Sequence, residues 1–164
     1  MQMAFGLRCV FLLCGLSGLL TGVWSKPAVH PVENSCPKGW TQLDCHCYIY
    51  EDDIRTFADA ESVCNILGGN MVSIHSDLEN ALVVEMLRAN DNDDEAWIGL
   101  SDAIEDDTFL WTDGSDNEYT NFDTDQSEPD NTGPCVQIQE NDGTWEDVEC
   151  STELPYICIR DIKH

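Results

Sequence analysis

"AESVCNILGGNMVSIHSDLEN", residues 60–80, carries a helix end, a strand and a helix start in one short span. Phe57, Ala60, Val63, Cys64 and Leu67 recur at helical spacing and predict a helix over 56–67. Gly68-Gly69 closes it, because glycine enters the left-handed backbone after a helix without a Cβ clash. Met71-Val72-Ser73-Ile74 then alternates as a strand does. Ser76-Asp77-Leu78-Glu79 is a capping box, in which serine and glutamate satisfy the free N–H groups of a helix start. That second helix is predicted to run to about Ala89, with Asn90 as its stop.

Upstream, Cys47-Tyr48-Ile49-Tyr50 reads as a strand. Downstream, short strands are predicted at 96–100, 109–111, 135–139, 144–147 and 156–159. Helices early and strands late describe an α+β domain with an antiparallel sheet. Between Trp111 and Cys135 no element is evident, and so long a loop in a compact domain is usually functional.

The chain has 164 residues, one domain by length. Its first 25 residues read as a secretory signal: Arg8 is the only charge, and the apolar run from Cys9 to Leu20 is about 12 residues, right for a signal core and too short to span a bilayer. Cleavage is placed after Ser25, and residues 26–35 form a proline-punctuated flexible leader. The mature chain is therefore expected to be secreted and extracellular, with no membrane insertion.

Of nine cysteines, Cys9 and Cys14 leave with the signal, and seven remain. In a small secreted domain these form disulfides with one thiol left over. A zinc site is the weaker reading, since Cys45-His46-Cys47 lacks a second ligand pair at metal spacing.

Seven Lys+Arg stand against 32 Asp+Glu, a formal net charge of −25. Between Arg88 and Arg160 there is no basic residue, while that interval holds 21 acids. Nucleic acid is excluded as a partner, because phosphate binding needs cations. The charge reads either as solubility through self-repulsion or as a cation-collecting, mineral-facing surface. Catalysis finds no support: the carboxylates are numerous enough to pair by chance, and His30, His46 and His75 show no nucleophile arrangement. His75 is expected to cap or pack near the second helix.

Taken in order, "CPKGWTQLDCHCY" (36–48), the stretch at 60–80, "WIGL" (97–100), "WTDG" (111–114), "EPD" (128–130), "CVQI" (135–138), "TWEDVEC" (144–150) and "YICI" (156–159) resemble the C-type lectin-like domain, as found in small secreted fish lectins and lectin-like type II antifreeze proteins. The resemblance covers residues 36–160, leaving 161–164 as a tail. It implies two helices flanking two small antiparallel sheets, with a long loop that binds ligand. It pairs Cys64 with Cys158, Cys135 with Cys150 and Cys36 with Cys47. Cys45 is then unpaired, free to join a second chain in a disulfide-linked homodimer or to displace Cys47.

The resemblance also implies a non-enzymatic, calcium-associated protein whose extracellular ligand is carbohydrate. A binder of ice or mineral surfaces, or a protein-binding module that has lost sugar, is the runner-up. Carried over residue by residue, the calcium and ligand positions are Glu128, Asp130, Glu146 and Asp147, with the family's proline cis at Pro129. Where the family has a glutamate before the loop cysteine, this chain has Gly133-Pro134; Gly133→Glu is the implied repair. A second family calcium site retains Asp102 and Asp106. Both positions where the family supplies an amide are carboxylates here, Asp130 and Glu146. A carboxylate offers no hydrogen-bond donor, so simple mannose and galactose are expected to bind poorly.

Overall fold

The computed structural model describes residues 35–90, 95–105, 107–124 and 127–162. The predicted signal, most of the leader, Asp106 and the end of the tail lie outside the described residues. Ten elements follow in order: β1 (Thr41–Leu43), β2 (His46–Arg55), α1 (Phe57–Ile66), β3 (Asn70–Met71), α2 (Asp77–Arg88), β4 (Glu95–Ser101), β5 (Leu110–Trp111), β6 (Cys135–Gln139), β7 (Trp145–Val148) and β8 (Leu154–Asp161). Among the described residues no helix is long and apolar enough to cross a membrane.

Both helices fall where the pattern places them. α1 buries Phe57, Ala60 and Cys64, and Gly68 follows it at φ +90°. α2 starts at Ser76, whose hydroxyl accepts from the Glu79 N–H. Glu79 returns a bond to the N–H of His75, one residue earlier than in the usual reciprocal box.

The sheet differs from two separate antiparallel sheets. Its order is β1-β2-β8-β4-β6-β7, with β3 added to β8 and β5 to β4. One parallel pair, Trp97 to Tyr156, joins an antiparallel β1-β2-β8 half to an antiparallel β4-β6-β7 half. The sheet is therefore mixed, and the architecture is α+β.

Strand lengths depart from the alternation for identifiable reasons. β2 continues through the polar Glu51–Arg55 because β8 pairs with it there across a register shift. β3 is short because Val72 divides its bonds, donating to Ile157 O and accepting from Gly99 N. β8 runs to Asp161, and the buried Ile162 donates to Cys45 O, so the fold takes in the first two residues read as a tail.

Among the described residues three disulfides are present, Cys36–Cys47, Cys64–Cys158 and Cys135–Cys150; Cys45 is free and exposed. The Cys64–Cys158 bond ties α1 to β8, beside the Phe57–Trp97 edge-to-face pair at 5.5 Å. The Cys135–Cys150 bond closes a short loop, a constraint on the unfolded chain of about 3 kcal/mol.

A core cluster around Trp145 positions the long loop. Trp145 at the start of β7 is fully buried among Trp111, Tyr119 and Phe122, with ring centroids 5.7, 5.7 and 5.8 Å away. Its indole N–H donates to Asn80 Oδ1 on α2 at 2.9 Å, and Asn80 Nδ2 donates to Gly143 O. A buried polar group without such a partner costs about 1–3 kcal/mol.

Candidate metal centre in the long loop

Among its described residues the segment between β5 and β6 forms one isolated bridge, Phe122 to Trp145. The Trp145 N–H donates to Asn121 O, the Asp123 N–H donates to Trp145 O, and the Glu128 N–H donates back to Asp123 O. Backbone bonds thus lead from the buried tryptophan to the acidic triplet Glu128-Pro129-Asp130. The Glu128–Pro129 bond is cis, and Ser127 and Asn131 on either side have φ of 69° and 65°. Asp147 on β7 anchors the far side: its Oδ1 accepts from the Asp130 N–H at 2.7 Å, and its Oδ2 from the Gly133 N–H at 3.4 Å. The Thr132 hydroxyl donates to Asp147 O.

This arrangement brings Glu128, Asp130 and Asp147 together, with one carboxylate oxygen from each lying within 4.8 Å of the others. Calcium takes oxygens at about 2.3–2.6 Å, so oxygens on opposite sides of one ion stand about 5 Å apart. The spread fits a single ion. Asp147 is buried and Asp130 exposed, so the cluster opens to solvent from a fixed floor. Burial pushes Glu128 up to about 7, helped by a hydrogen bond with Asp147 and by the charges of Asp130 and Asp147, and opposed by the Asp130 N–H.

Glu146, read from the sequence as a fourth ligand, is not brought into this cluster. Strand alternation sends the side chain of Glu146 to the opposite face of β7 from that of Asp147. There Glu146 Oε2 accepts from Gln139 Nε2 at 2.7 Å and Gln137 Nε2 at 3.1 Å.

Gly133 is not a vacant ligand position either. A Cβ there would lie 2.2 Å from both the carbonyl carbon and oxygen of Val148, so Gly133→Glu collides with β7 before its carboxylate reaches anything. Of the second family site, Asp102 is buried and Oδ2 accepts from the Asp107 N–H at 3.0 Å, a turn-capping role.

A second polar group surrounds His75, lining a cavity of about 670 Å³ with His46, Ser73, Asp113 and Ser115. Ser115 Oγ lies 3.1 Å from His75 Nε2 and donates to Asp113 Oδ1 at 2.6 Å. With its only proton on Asp113, the hydroxyl accepts from His75, so Nε2 carries hydrogen and cannot act as a base. The cluster is a hydrogen-bonded tie between the start of α2 and the loop after β5. The His75 ring also meets Trp111 edge-on at 5.8 Å.

Residues 53–160 match the family described as Lectin C-type domain. The chain belongs to the C-type lectin domain family. It is 35% identical to a lectin of Pleurodeles waltl over 91% of this chain and 89% of that protein. It is 34% identical to ladderlectin of Oncorhynchus mykiss over 74% of this chain; the match spans 66% of ladderlectin's own length. Among solved structures, the C-type lectin CEL-I of Cucumaria echinata superposes with a TM-score of 0.74 at 29% identity, covering 79% of this chain and all of CEL-I. A calcium-independent type II antifreeze protein superposes with a TM-score of 0.69 at 28% identity, covering 77% of this chain and 95% of that one. Members of this family are binding proteins, not enzymes. C-type lectin domains commonly bind calcium, whereas the antifreeze relative is calcium-independent.

The long-loop triplet was legible from sequence, whereas the Trp145 anchor and the turning-away of Glu146 were missed. The aromatic residues Tyr119 and Phe122 were the available signal for the anchor. Period-two alternation in "TWEDVEC" was the signal for Glu146.

Proposed function

We propose that this protein is a secreted lectin-like protein that holds calcium at Glu128, Asp130 and Asp147 and recognises an extracellular glycan through the long loop. The observation that carries this reading is the convergence of three carboxylates, one of them buried, on a space the size of one ion. Bound calcium supplies direct coordination of ligand hydroxyls. The chain's own part is to fix Asp147 through the Asp130 and Gly133 N–H groups and to leave Glu128 and Asp130 facing the ligand side. All three side chains accept hydrogen bonds once ionised, and none donates. Donors must come from elsewhere on the ligand surface, so simple mannose and galactose bind weakly.

A calcium titration followed by a sugar challenge in the same cell tests this reading. A glycan array run with and without chelator separates it from the second reading, a binder of ice, mineral or protein surfaces. That alternative draws on the same absence of donors and on the likeness to a calcium-independent antifreeze protein. Chelator-sensitive glycan signals support the first reading; an array blank in both conditions supports the second. Secretion is tested by finding the mature N-terminus near Lys26 in culture medium. A homodimer through the exposed Cys45 is tested on a non-reducing gel, where Cys45→Ser should remove the dimer band.

A further inference from the structure

The cavity of about 670 Å³ beside His75 is lined from β3, the end of β8, the start of α2 and the turn after β5, and no carboxylate of the long-loop cluster lines it. Concave spaces of about 300–1,000 Å³ that join an apolar part to a few convergent polar groups are the usual form of small-molecule sites. The apolar part here is the buried Ile159 and Ile162, beside Gly68-Gly69. Gly69 admits no side chain, because a Cβ there would stand 1.9 Å from Ile159 O.

Its polar groups form two sets on different elements. Donors come from β3 and β8. Asn70 Nδ2 gives one of its two hydrogens to Glu61 Oε1 at 2.8 Å, and Arg160 gives one of its five to Leu67 O at 3.1 Å. The Trp40 ring, 5.4 Å from centroid to guanidinium, holds Arg160 in place. Acceptors come from the other side. Glu79 takes the His75 N–H on Oε2 and has Oε1 besides. His75, with hydrogen on Nε2 toward Ser115, has a bare Nδ1. Asp113 Oδ2 is held by the hydroxyl of Ser73, which is only 3% exposed. A cationic ligand would meet Arg160, and an anionic one would meet Glu79 and Asp113. A neutral hydroxyl accepts from the first set and donates to the second. Among the described residues only Glu128, Asp130 and Asp147 converge on a space for a metal ion, so this cavity holds its ligand by hydrogen bonds.

We propose that this cavity is a second saccharide site, which binds sugar hydroxyls directly and works without calcium. The proposal goes beyond the long-loop reading and does not depend on it. The long-loop cluster offers acceptors alone, whereas the cavity offers donors and acceptors on separate walls. Its isoleucines give the C–H face of a sugar ring an apolar surface to lie against. The polar side chains are already tied to their neighbours, so binding has little ordering to do.

The experiment is a titration of the protein in chelator with lactose, maltose and cellobiose, followed through its amide and side-chain resonances. Saturable shifts are expected at Asn70, Ser73, His75 and Ser115, and the same affinity is expected in millimolar calcium. Asn70→Leu removes a donor at similar size, and His75→Phe removes Nδ1 while keeping a ring against Trp111. Each should weaken sugar binding by about tenfold. Melting in chelator checks that both variants fold. A purely structural role for the two residues would lower melting and leave the affinity of the folded protein unchanged, which overturns the proposal. Absence of cavity shifts with all three sugars also overturns it. Binding seen only with calcium, with shifts at Glu128 and Asp130, overturns the cavity site and supports the long-loop reading. Cavity binding in a protein that shows no response to calcium supports this site and counts against the long-loop reading, so the two fail separately.

Discussion

Glu128 and Asp113 are two carboxyl groups of the same loop region with opposite fates. Asp113 is pushed up by burial, but the Ser115 and Ser73 hydroxyls, the Ser115 N–H and the nearby His75 outweigh that push and hold it below the usual range. Ser73 Oγ donates to Asp113 Oδ2 at 2.5 Å, and the Ser115 N–H donates to Oδ1 at 2.8 Å. Glu128 faces two other carboxylates and is pushed up to about 7. The lesson is that hydroxyl donors and crowding acids shift two partly buried carboxyls of one loop region in opposite directions. Acid count alone, in a chain with 32 of them, does not distinguish the two.

The largest effect expected on this contrast comes from Gly133→Glu. Placing a Cβ 2.2 Å from the β7 backbone should cost more than the usual 1–3 kcal/mol of overpacking, seen as loss of cooperative melting, and it should add no calcium affinity. Asp147→Ala comes next. It should abolish any calcium-dependent rise in melting temperature and, by orphaning the Asp130 and Gly133 N–H groups, destabilise the chelated protein by about 1–3 kcal/mol. Circular dichroism melts with and without calcium check both effects.

Glu128→Gln and Asp113→Asn should then separate by pH. The Glu128 carboxyl binds its proton more tightly folded than unfolded, so the calcium-free protein loses stability as pH rises from the ordinary value of 4.5 through about 7. Glu128→Gln should remove that loss and raise the melting temperature of calcium-free protein above neutral pH. Asp113 has the opposite sign: its contribution is present above its ordinary value of 3.8 and is lost as pH falls through its lowered folded value. Asp113→Asn should therefore destabilise at neutral pH and leave calcium affinity unchanged. Ser73→Ala should be the smallest change, about 1.5 kcal/mol at neutral pH, for one charge-assisted bond removed from Asp113.

Legibility in the sequence followed the type of signal. α1 and α2 were readable because their stripes and caps are local: Phe57, Ala60 and Cys64 face inward, and Ser76 caps as its spacing says. The hairpin strand β1 was missed because Thr41-Gln42-Leu43 is too short to alternate, and it forms because β2 is there to pair with it. The parallel Trp97–Tyr156 junction depends on residues far apart in the chain and has no local mark. At the site, Glu128-Pro129-Asp130 was readable as a triplet, and Asp147 by its place in the motif. The direction of Glu146 follows the period-two alternation of β7, a signal present in the sequence, whereas the necessity of Gly133 depends on the Val148 backbone, a contact that only the folded sheet creates.

The most direct test of the carboxylate centre is a calcium titration of the unaltered protein near pH 7, about where Glu128 is pushed up to, in two buffers of different ionisation enthalpy. Calcium should bind with saturable heat that differs between the buffers, because proton release accompanies binding. The same calcium should raise the melting temperature. No saturable heat in either buffer, together with one melting curve from chelator to millimolar calcium, would contradict it.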